Sequence, residues 1–546
     1  MAASLAGIKP LLNWLAYCCI ALGLVTSVQG AQEWDNFRPK LHYSVQLNWL
    51  NDPNGLVFVN GEYHMYYQYH PGSSVPGPKS WAHTISRDFV TWSDLPTALE
   101  PDELGDIWSG SSIVDFTNSS GFQTNVDVYP IVAVFTHAGQ SQQQSIAYSN
   151  DWGRTFTKFA QNPVIPNPGK QDFRDPKVIW YNDESWILVL AAEISIVNNI
   201  LKQINLYSVG DRVEFYISQD LKNWSLSSDF GADPDQGLKG VWECPDIFPL
   251  EFDGETVWVL LVSNGGGGPN GGSNTQYFVG TFDGTTFSSP QIDPLFMDSG
   301  VDNYASISFF NEPRGRRVII GWMTNLMYAN DIPTGDWRGQ MTMAREVRLA
   351  KNSGNALRLR SLVVDEIVEK LVDPNQEISV GITGIAPDTT MYLTDSVPWN
   401  NSLMHLNLFI DVGGLCQGCS LSICFLNSKE QEICSGYDHG RERPLFLDRE
   451  RSGRTDFNPS FSRRLSAIRE IPLDGANNIL QFEAFLDLVA IEVFFDGGMT
   501  PMTSLFYPEE PYTFVEIRHH ALGNINSRLS IASGSVFQGM KSMYEV

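Results

Sequence analysis

The sequence predicts an all-β protein, a five-bladed β-propeller followed by a C-terminal β-sandwich. Three observations predict it. The patterned segments draw on Val, Ile, Thr, Tyr, Phe and Trp, separated by Gly, Asn, Asp and Pro, which is the composition of strands and tight turns. Two short patterns recur between residues 40 and 350 at nearly one period, the signature of a repeat architecture. Beyond about residue 355 the repeat stops and apolar–polar alternation continues without it.

Taken in chain order, residues 1–30 read as a signal peptide. Lys9 precedes an apolar run over 11–25, then small or polar residues over 27–30, and the run is short for a bilayer span. The propeller is expected over 31–355. Its first repeated pattern is a strand, Ser-x-Asp, a turn and an aromatic residue: Ser86 to Trp92, Ser149 to Phe156 and Ser218 to Trp224, with a looser copy from Asp283 to Phe287. Ser86, Ser149 and Ser218 stand 63 and 69 residues apart. The second pattern is a polar start before an apolar strand. It occurs as Asp52-Pro53-Asn54-Gly55, Ser109-Gly110-Ser111, Arg174-Asp175-Pro176, Glu243-Cys244-Pro245-Asp246 and Asp302-Asn303-Tyr304. Repeats of this length built from short strands suit propeller blades. Asn60-Gly61 supplies a hairpin turn between two strand-like runs. The first strand of each blade lines the channel, so the five starts are expected to meet at one mouth. That places Asp52, Asp175 and Glu243 in one pocket.

Residues 357–371 carry apolar side chains at near-helical spacing, and a linker with a short helix is expected over 356–375. The sandwich is expected over 376–546, where runs at 404–410, 421–426, 479–485, 488–495 and 514–519 alternate. No catalytic constellation assembles there, so its expected role is packing and stabilisation.

Hydrophobic residues make up 42% of the chain and charged ones 18%, the balance of a soluble globular protein. A formal charge of −26 excludes nucleic acid as a partner, since phosphate binding needs clustered Lys and Arg. No later segment is apolar for long enough to span a bilayer, so no membrane contact is expected after signal removal. Sequons at Asn118, Asn223 and Asn400 fit a secreted, glycosylated chain. Of seven cysteines, Cys18 and Cys19 fall in the signal. Cys416, Cys419, Cys424 and Cys434 are read as disulfides, which an exported chain favours over zinc; their pairing stays open. Oligomeric state is not legible.

Cleaving a glycoside through a covalent intermediate takes two carboxyl groups about 5–5.5 Å apart, one ionised to attack and one protonated to donate. Asp52 sits among amides and backbone donors, and is expected to be the nucleophile. Glu243 lies between Trp242 and Cys244-Pro245, an apolar setting that would keep its proton, and is expected to be the general acid/base. Asp175, kept ionised by Arg174, is expected to stabilise an oxocarbenium-like transition state. Asn51 adds an amide to the same motif. Trp49, Trp81, Trp108 and Trp322 offer stacking faces for a sugar, although core packing explains any single Trp more simply. The chemistry uses carboxyls alone, so neither metal nor cofactor is expected. Asp52 and Asp175 are 123 residues apart and Asp175 and Glu243 68, close to two repeats and one.

With these motifs in place the chain resembles glycoside hydrolase family 32, the invertase, inulinase and levanase family. Residues 49–55, 174–176 and 243–245 match its three acidic motifs, and the likeness extends over 81–92, 108–111, 267–280, 321–323 and 491–497. The resemblance implies a retaining, exo-acting β-fructosidase that hydrolyses terminal β-D-fructofuranosyl residues of sucrose, inulin and levan. It carries the nucleophile to Asp52, the transition-state stabiliser to Asp175 and the acid/base to Glu243. It also implies that Gln68, Trp81, Ser111, Arg174 and Asp302 line the fructose subsite. Ala82 departs from the family's Gly, Asn303 from an aromatic, Leu326 from Trp and Ala344 from Pro; Leu326 and Asn303 are expected to bear on the leaving-group side.

Three other readings compete. The same pocket can act as a fructosyltransferase when a sugar replaces water as acceptor. A sialidase would explain Ser149 to Phe156, which has the form of a sialidase Asp-box, but needs an Arg cluster and a Tyr nucleophile. A non-catalytic carbohydrate-binding protein would keep the aromatics yet have no need of all three acids.

Overall fold

The computed structural model describes residues 37–193, 211–231, 237–238, 240–393, 403–471, 478–524, 526–538 and 540–544. The expected signal segment over 1–30, with Cys18 and Cys19, and the sequon at Asn400 lie outside the described residues.

The fold is all-β; the helical elements described are Asp365–Leu371 and the 3-10 turn Pro374–Gln376. Five small antiparallel sheets follow one another along the N-terminal part. Sheet I holds Asn48–Val59, Glu62–His70, Ser80–Ser86 and Trp92–Leu99; sheet II holds Asp106–Val114, Ile131–Ala138, Gln142–Ser149 and Thr157–Lys158. Sheet III comprises Phe173–Tyr181, Ser185–Glu193, Asp211–Ser218 and Ser225–Phe230. Sheet IV comprises Trp242–Phe252, Glu255–Asn264, Asn274–Phe282 and Phe287–Ser288, with Leu295–Phe296 added at its side. Sheet V comprises Tyr304–Ser308, Val318–Trp322, Arg345–Lys351 and Leu357–Val363. The first strand of each sheet packs on the first strand of the next, and that of sheet V returns to that of sheet I. Phe58 N–H donates to Phe310 O at 3.0 Å, and Trp337–Arg338 runs parallel beside Asn48 and Trp49.

Local chemistry explains the hairpins. Asn60 and Gly61 take φ of 50° and 78°, as a two-residue turn requires. Each Ser-x-Asp turn closes on its carboxylate. Asp88 accepts from the N–H of Val90 and Thr91 at 2.8 Å, Asp220 from Asn223 N–H at 2.8 Å, and Asp283 from Thr286 N–H at 2.7 Å. The Asp-box form at Ser149 to Phe156 is one of this set, with Asp151 accepting from Thr155 N–H at 2.9 Å. These turns are scaffolding.

The C-terminal part holds two larger sheets, of seven and six strands. The expected alternating runs lie in Met404–Asp411, Ser420–Leu426, Ile479–Leu486, Ala490–Phe495 and Phe514–His520. Both sheets turn their apolar faces into one core; Leu406 and Leu408 come from the first, Leu421 and Ile423 from the second, all fully buried. Cys424 and Cys434 face each other on adjacent strands and are joined, as are Cys416 and Cys419. Residues 357–371 depart in part from the helical reading. Only Asp365–Leu371 is helical, while Leu357–Val363 pairs with Arg345–Lys351 as the last strand of sheet V. Its burial alternates, with Leu359, Ser361 and Val363 inward.

Buried charge joins the two parts. Arg449 reaches from the C-terminal part to Asp302 Oδ2 at 2.7 Å and to the Tyr328 hydroxyl at 2.9 Å. Arg345 of sheet V meets Glu492 at 2.8 Å, and His42 lies between Asp487 and Glu492 at 2.7 and 3.1 Å.

Candidate active site

Each inner strand is irregular where its polar start lies. The pairing register shifts between Asn54 and Val57 in sheet I, Ile107 and Gly110 in sheet II, and opposite Asp175-Pro176 in sheet III. It shifts again between Glu243 and Asp246 in sheet IV and between Tyr304 and Ile307 in sheet V. Such bulges bend a strand and re-aim its side chains. Asp175, Cys244 and Ala305 take left-handed φ of 64°, 44° and 52°, a conformation that side-chain-bearing residues keep only when the surroundings impose it. Gly55 takes φ of 54°, and a Cβ there would meet Tyr66 at 2.6 Å and Ser112 Oγ at 2.7 Å.

The bulges aim one or more side chains from every start into a single cavity of about 290 Å³. Asp52 comes from sheet I, Ser109 from II, Arg174 and Asp175 from III, Glu243 from IV and Tyr304 from V. Trp49, Asn51, Gln68, Lys79, Trp108 and Trp322 complete the inner wall, with Leu326, Ala329 and Asn330 from a later loop and Pro76.

The three carboxylates are held differently. Asp52 Oδ2 accepts from the Ser109 hydroxyl at 2.8 Å, and Oδ1 from the Asn51 amide at 3.2 Å. Glu243 Oε1 accepts from Arg174 Nη2 and Nε at 3.1 and 3.3 Å, and Oε2 accepts from the Tyr304 hydroxyl. Asp175 is buried, with Oδ2 accepting from the Cys244 N–H at 3.0 Å and standing 3.8 Å from Arg174 Nε. The Cys244 thiol touches two of them at once, at 3.6 Å from Asp52 Oδ2 and 3.7 Å from Asp175 Oδ2. Burial holds this thiol and the Tyr304 hydroxyl well above their usual pKa, so both stay protonated and donate.

Two electrostatic expectations are corrected. Burial pushes Asp175 up to about 7; Arg174 pulls it down, but burial, Glu243 and Asp52 together outweigh that pull. Arg174 is therefore shared among three carboxylates, those of Asp172, Asp175 and Glu243, instead of fixing the charge of one. The setting of Glu243 is polar, not apolar, because Arg174 and Tyr304 occupy its oxygens.

Of the binding residues read from sequence, Asn51, Gln68, Trp108, Arg174 and Trp322 line the cavity. Among the described residues, both amide atoms of Gln68 and the Trp322 indole N–H are buried without a partner, which leaves them for a ligand. Trp81, Ser111 and Asp302 stand outside the lining. Trp81 is fully buried and donates to the Trp108 carbonyl at 3.0 Å. Ser111 bridges sheets II and III, donating to Pro176 O and accepting from Val178 N–H, each at 3.0 Å. Asp302 is committed to Arg449, Tyr328 and Leu505 N–H. Leu326 is at the cavity as expected, whereas buried Asn303 accepts from Ser306 Oγ at 2.7 Å and does not line it. Sequence reasoning missed Lys79, Ser109 and Tyr304 as lining groups, although the last two lie within polar starts it had identified.

In sequence and fold the chain is similar to a group of known proteins. Residues 42–361 match the family model for the glycosyl hydrolases family 32 N-terminal domain, and residues 367–532 the family 32 C terminal. A levanase from Bacillus subtilis is 41% identical over 495 residues, covering 88% of this chain and 68% of the levanase. An extracellular exo-inulinase from Aspergillus niger is 34% identical over 519 residues, covering 86% of this chain and 90% of the inulinase. The solved β-fructofuranosidase from Schwanniomyces occidentalis, complexed with fructosyl-erythritol, superposes with a TM-score of 0.80 at 28% identity, over 92% of this chain and 97% of that one.

Proposed function

The chain belongs to glycosyl hydrolase family 32, and from that premise we propose how its cavity works. The protein is a glycoside hydrolase, an exo-acting β-fructosidase of fructans and sucrose, in keeping with its levanase and exo-inulinase relatives. Its reaction is retaining. Asp52 attacks the anomeric carbon of the terminal fructosyl unit while Glu243 gives its proton to the departing glycosidic oxygen. A fructosyl ester on Asp52 results. Glu243, now a base, takes a proton from water, the water oxygen bonds to the same carbon, and Asp52 is released as carboxylate. Asp175, in its ionised form, faces the ring and offsets the positive charge that develops there. Asn51, Gln68, Trp108, Arg174 and Trp322 bind the sugar.

The observation that carries this reading is the arrival of three carboxylates from three separate strand starts, with an arginine beside one of them, in one sugar-sized cavity. The five sheets are read as the blades of a five-bladed β-propeller that begins at 31 and, instead of stopping at 355, ends with the strand Leu357–Val363, followed by a linker to 375 and a β-sandwich at 376–546. The ring of inner strands and the shared core of the two larger sheets support that division. Residues 1–30 are read as a signal peptide and the enzyme as secreted; its inulinase relative is extracellular, and among the described residues no helix is long and apolar enough to cross a membrane. Asn223 is exposed and Asn118 lies on a surface turn, which supports both as glycan acceptors alongside Asn400.

Replacing Glu243 with Ala tests the mechanism. The expected loss of sucrose and inulin hydrolysis is several powers of ten, since the group assists both half-reactions. Running the parent enzyme with methanol as acceptor tests stereochemistry. Methyl β-fructoside is the expected product, and methyl α-fructoside would replace the covalent intermediate with direct displacement.

A further inference from the structure

Lys79 is a lysine at the wall of a sugar pocket that none of the motifs includes. Its carbonyl accepts the Ile107 N–H at 2.9 Å, which ties the segment to sheet II and directs the side chain to the cavity. The ammonium makes one hydrogen bond among the described residues, to Asn51 Oδ1 at 3.2 Å. The Trp49 indole donates to the same oxygen at 2.8 Å. Two donors on one end of an amide settle its orientation, because a carbonyl oxygen accepts and an NH2 group does not. The other end, Asn51 Nδ2, therefore turns to Asp52 Oδ1 at 3.2 Å.

The charges around Lys79 belong to several elements. Asp52, Asp106 and Glu243 face it, and Arg174 and Asp175 line the same cavity. Burial lowers its pKa while Asp52, Asp106 and Glu243 raise it. The net direction is downward, and the three carboxylates offset part of the cost of burial in favour of the ammonium form.

We propose that Lys79 is a positioning residue for Asp52: it locks the Asn51 amide with its N–H toward the attacking carboxylate. This inference rests on Asp52 being the nucleophile. It accounts for a half-buried cation with a single side-chain acceptor among the described residues, beside a cluster of acids, which packing alone does not require.

The test compares Lys79→Met and Lys79→Arg with the parent for sucrose hydrolysis, alongside Asp52→Asn. Lys79→Met is expected to lower kcat at least tenfold with KM changed less than about twofold. Lys79→Arg keeps a donor for Asn51 Oδ1 and is expected to recover most of the lost kcat. Should Lys79→Met not fold, Lys79→Leu, which also removes the donor, carries the same expectation. An unchanged kcat overturns the proposal, as does a rise in KM alone, which would make Lys79 a direct substrate contact. If Asp52→Asn is inactive while Lys79→Met behaves as the parent, only this inference fails; an active Asp52→Asn removes the nucleophile reading itself.

Discussion

The five-sheet ring and the two-sheet region bury opposite things. Where the inner strands of the ring meet, they surround acids, an arginine and a lysine, and the bulged backbone there is held in conformations that isolated chains avoid. The centre of the two-sheet region is apolar, with Leu406, Leu408, Ile423, Phe482 and Val493 among its fully buried residues. One region spends packing to hold charge, the other is ordinary core. Yet the division of labour is incomplete. Arg449, from the apolar region, grips Asp302 and Tyr328. Tyr328 lies in the loop that supplies Leu326, Ala329 and Asn330 to the cavity, and Asp302 precedes by two residues the Tyr304 that donates to Glu243. The two-sheet region thus braces the pocket wall as well as packing against the ring.

The sharpest contrast between function and stability is expected at Asp175. Asp175→Asn should lower kcat/KM by about 10²–10³-fold, as loss of a preorganised charge opposite the transition state does. Its effect on stability should have the opposite sign. The folded-state pKa is raised to about 7, so between about pH 4 and pH 7 the folded chain holds more protons than the unfolded one. The stabilisation from this group is complete at low pH and is lost as pH rises through 7. Melting temperatures measured from pH 4 to pH 8 should therefore show Asp175→Asn gaining on the parent as pH rises; a constant difference would mean that the carboxyl is ionised throughout.

Arg449 tests whether the two-sheet region only packs. Arg449→Met strands the buried Asp302 carboxylate and should destabilise by about 3–5 kcal/mol in denaturant unfolding. Adding Asp302→Asn should recover part of that loss. The folded fraction of either variant should still show a lowered kcat, because the wall carrying Leu326 and Asn330 has lost its brace. Parent kcat per folded molecule would return the region to a purely packing role. The smallest effect is expected in the ring's own turns. Asp220→Ala removes an acceptor of backbone N–H groups far from the chemistry, and should cost about 1 kcal/mol with kinetic constants unchanged.

What was legible in the sequence was what repeats. The Ser-x-Asp turns and polar starts come back at a steady spacing because each sheet needs the same turn and the same first strand, and the three acids were found through that spacing. Lys79 escaped because it lies on a connection between strands of one sheet, where no period applies. The family resemblance implies a place in the fructose subsite for Asp302, but the bulge after Tyr304 aims Tyr304 inward and leaves Asp302 to Arg449. Ser111, on the inner strand of sheet II, and Trp81, on the third strand of sheet I, join neighbouring sheets, a distinction of side-chain direction that motif matching does not carry. Leu357–Val363 was drawn into the helix that follows because Leu, Arg and Val at 357–363 satisfy a period of two and blend into the helical spacing of Asp365–Leu371.

Closure of the ring has a consequence for synthesis. Asn48 and Trp49, immediately ahead of Asp52, are clasped by Trp337 and Arg338 from the far end of the ring. A ribosome-bound chain that stops short of that clasp holds its nucleophile on an unfinished strand edge. Long-range pairing of this kind is slow to form. Catalytic competence should consequently arrive late and all at once, after the polypeptide has emerged past Arg338, with no active shorter forms along the way.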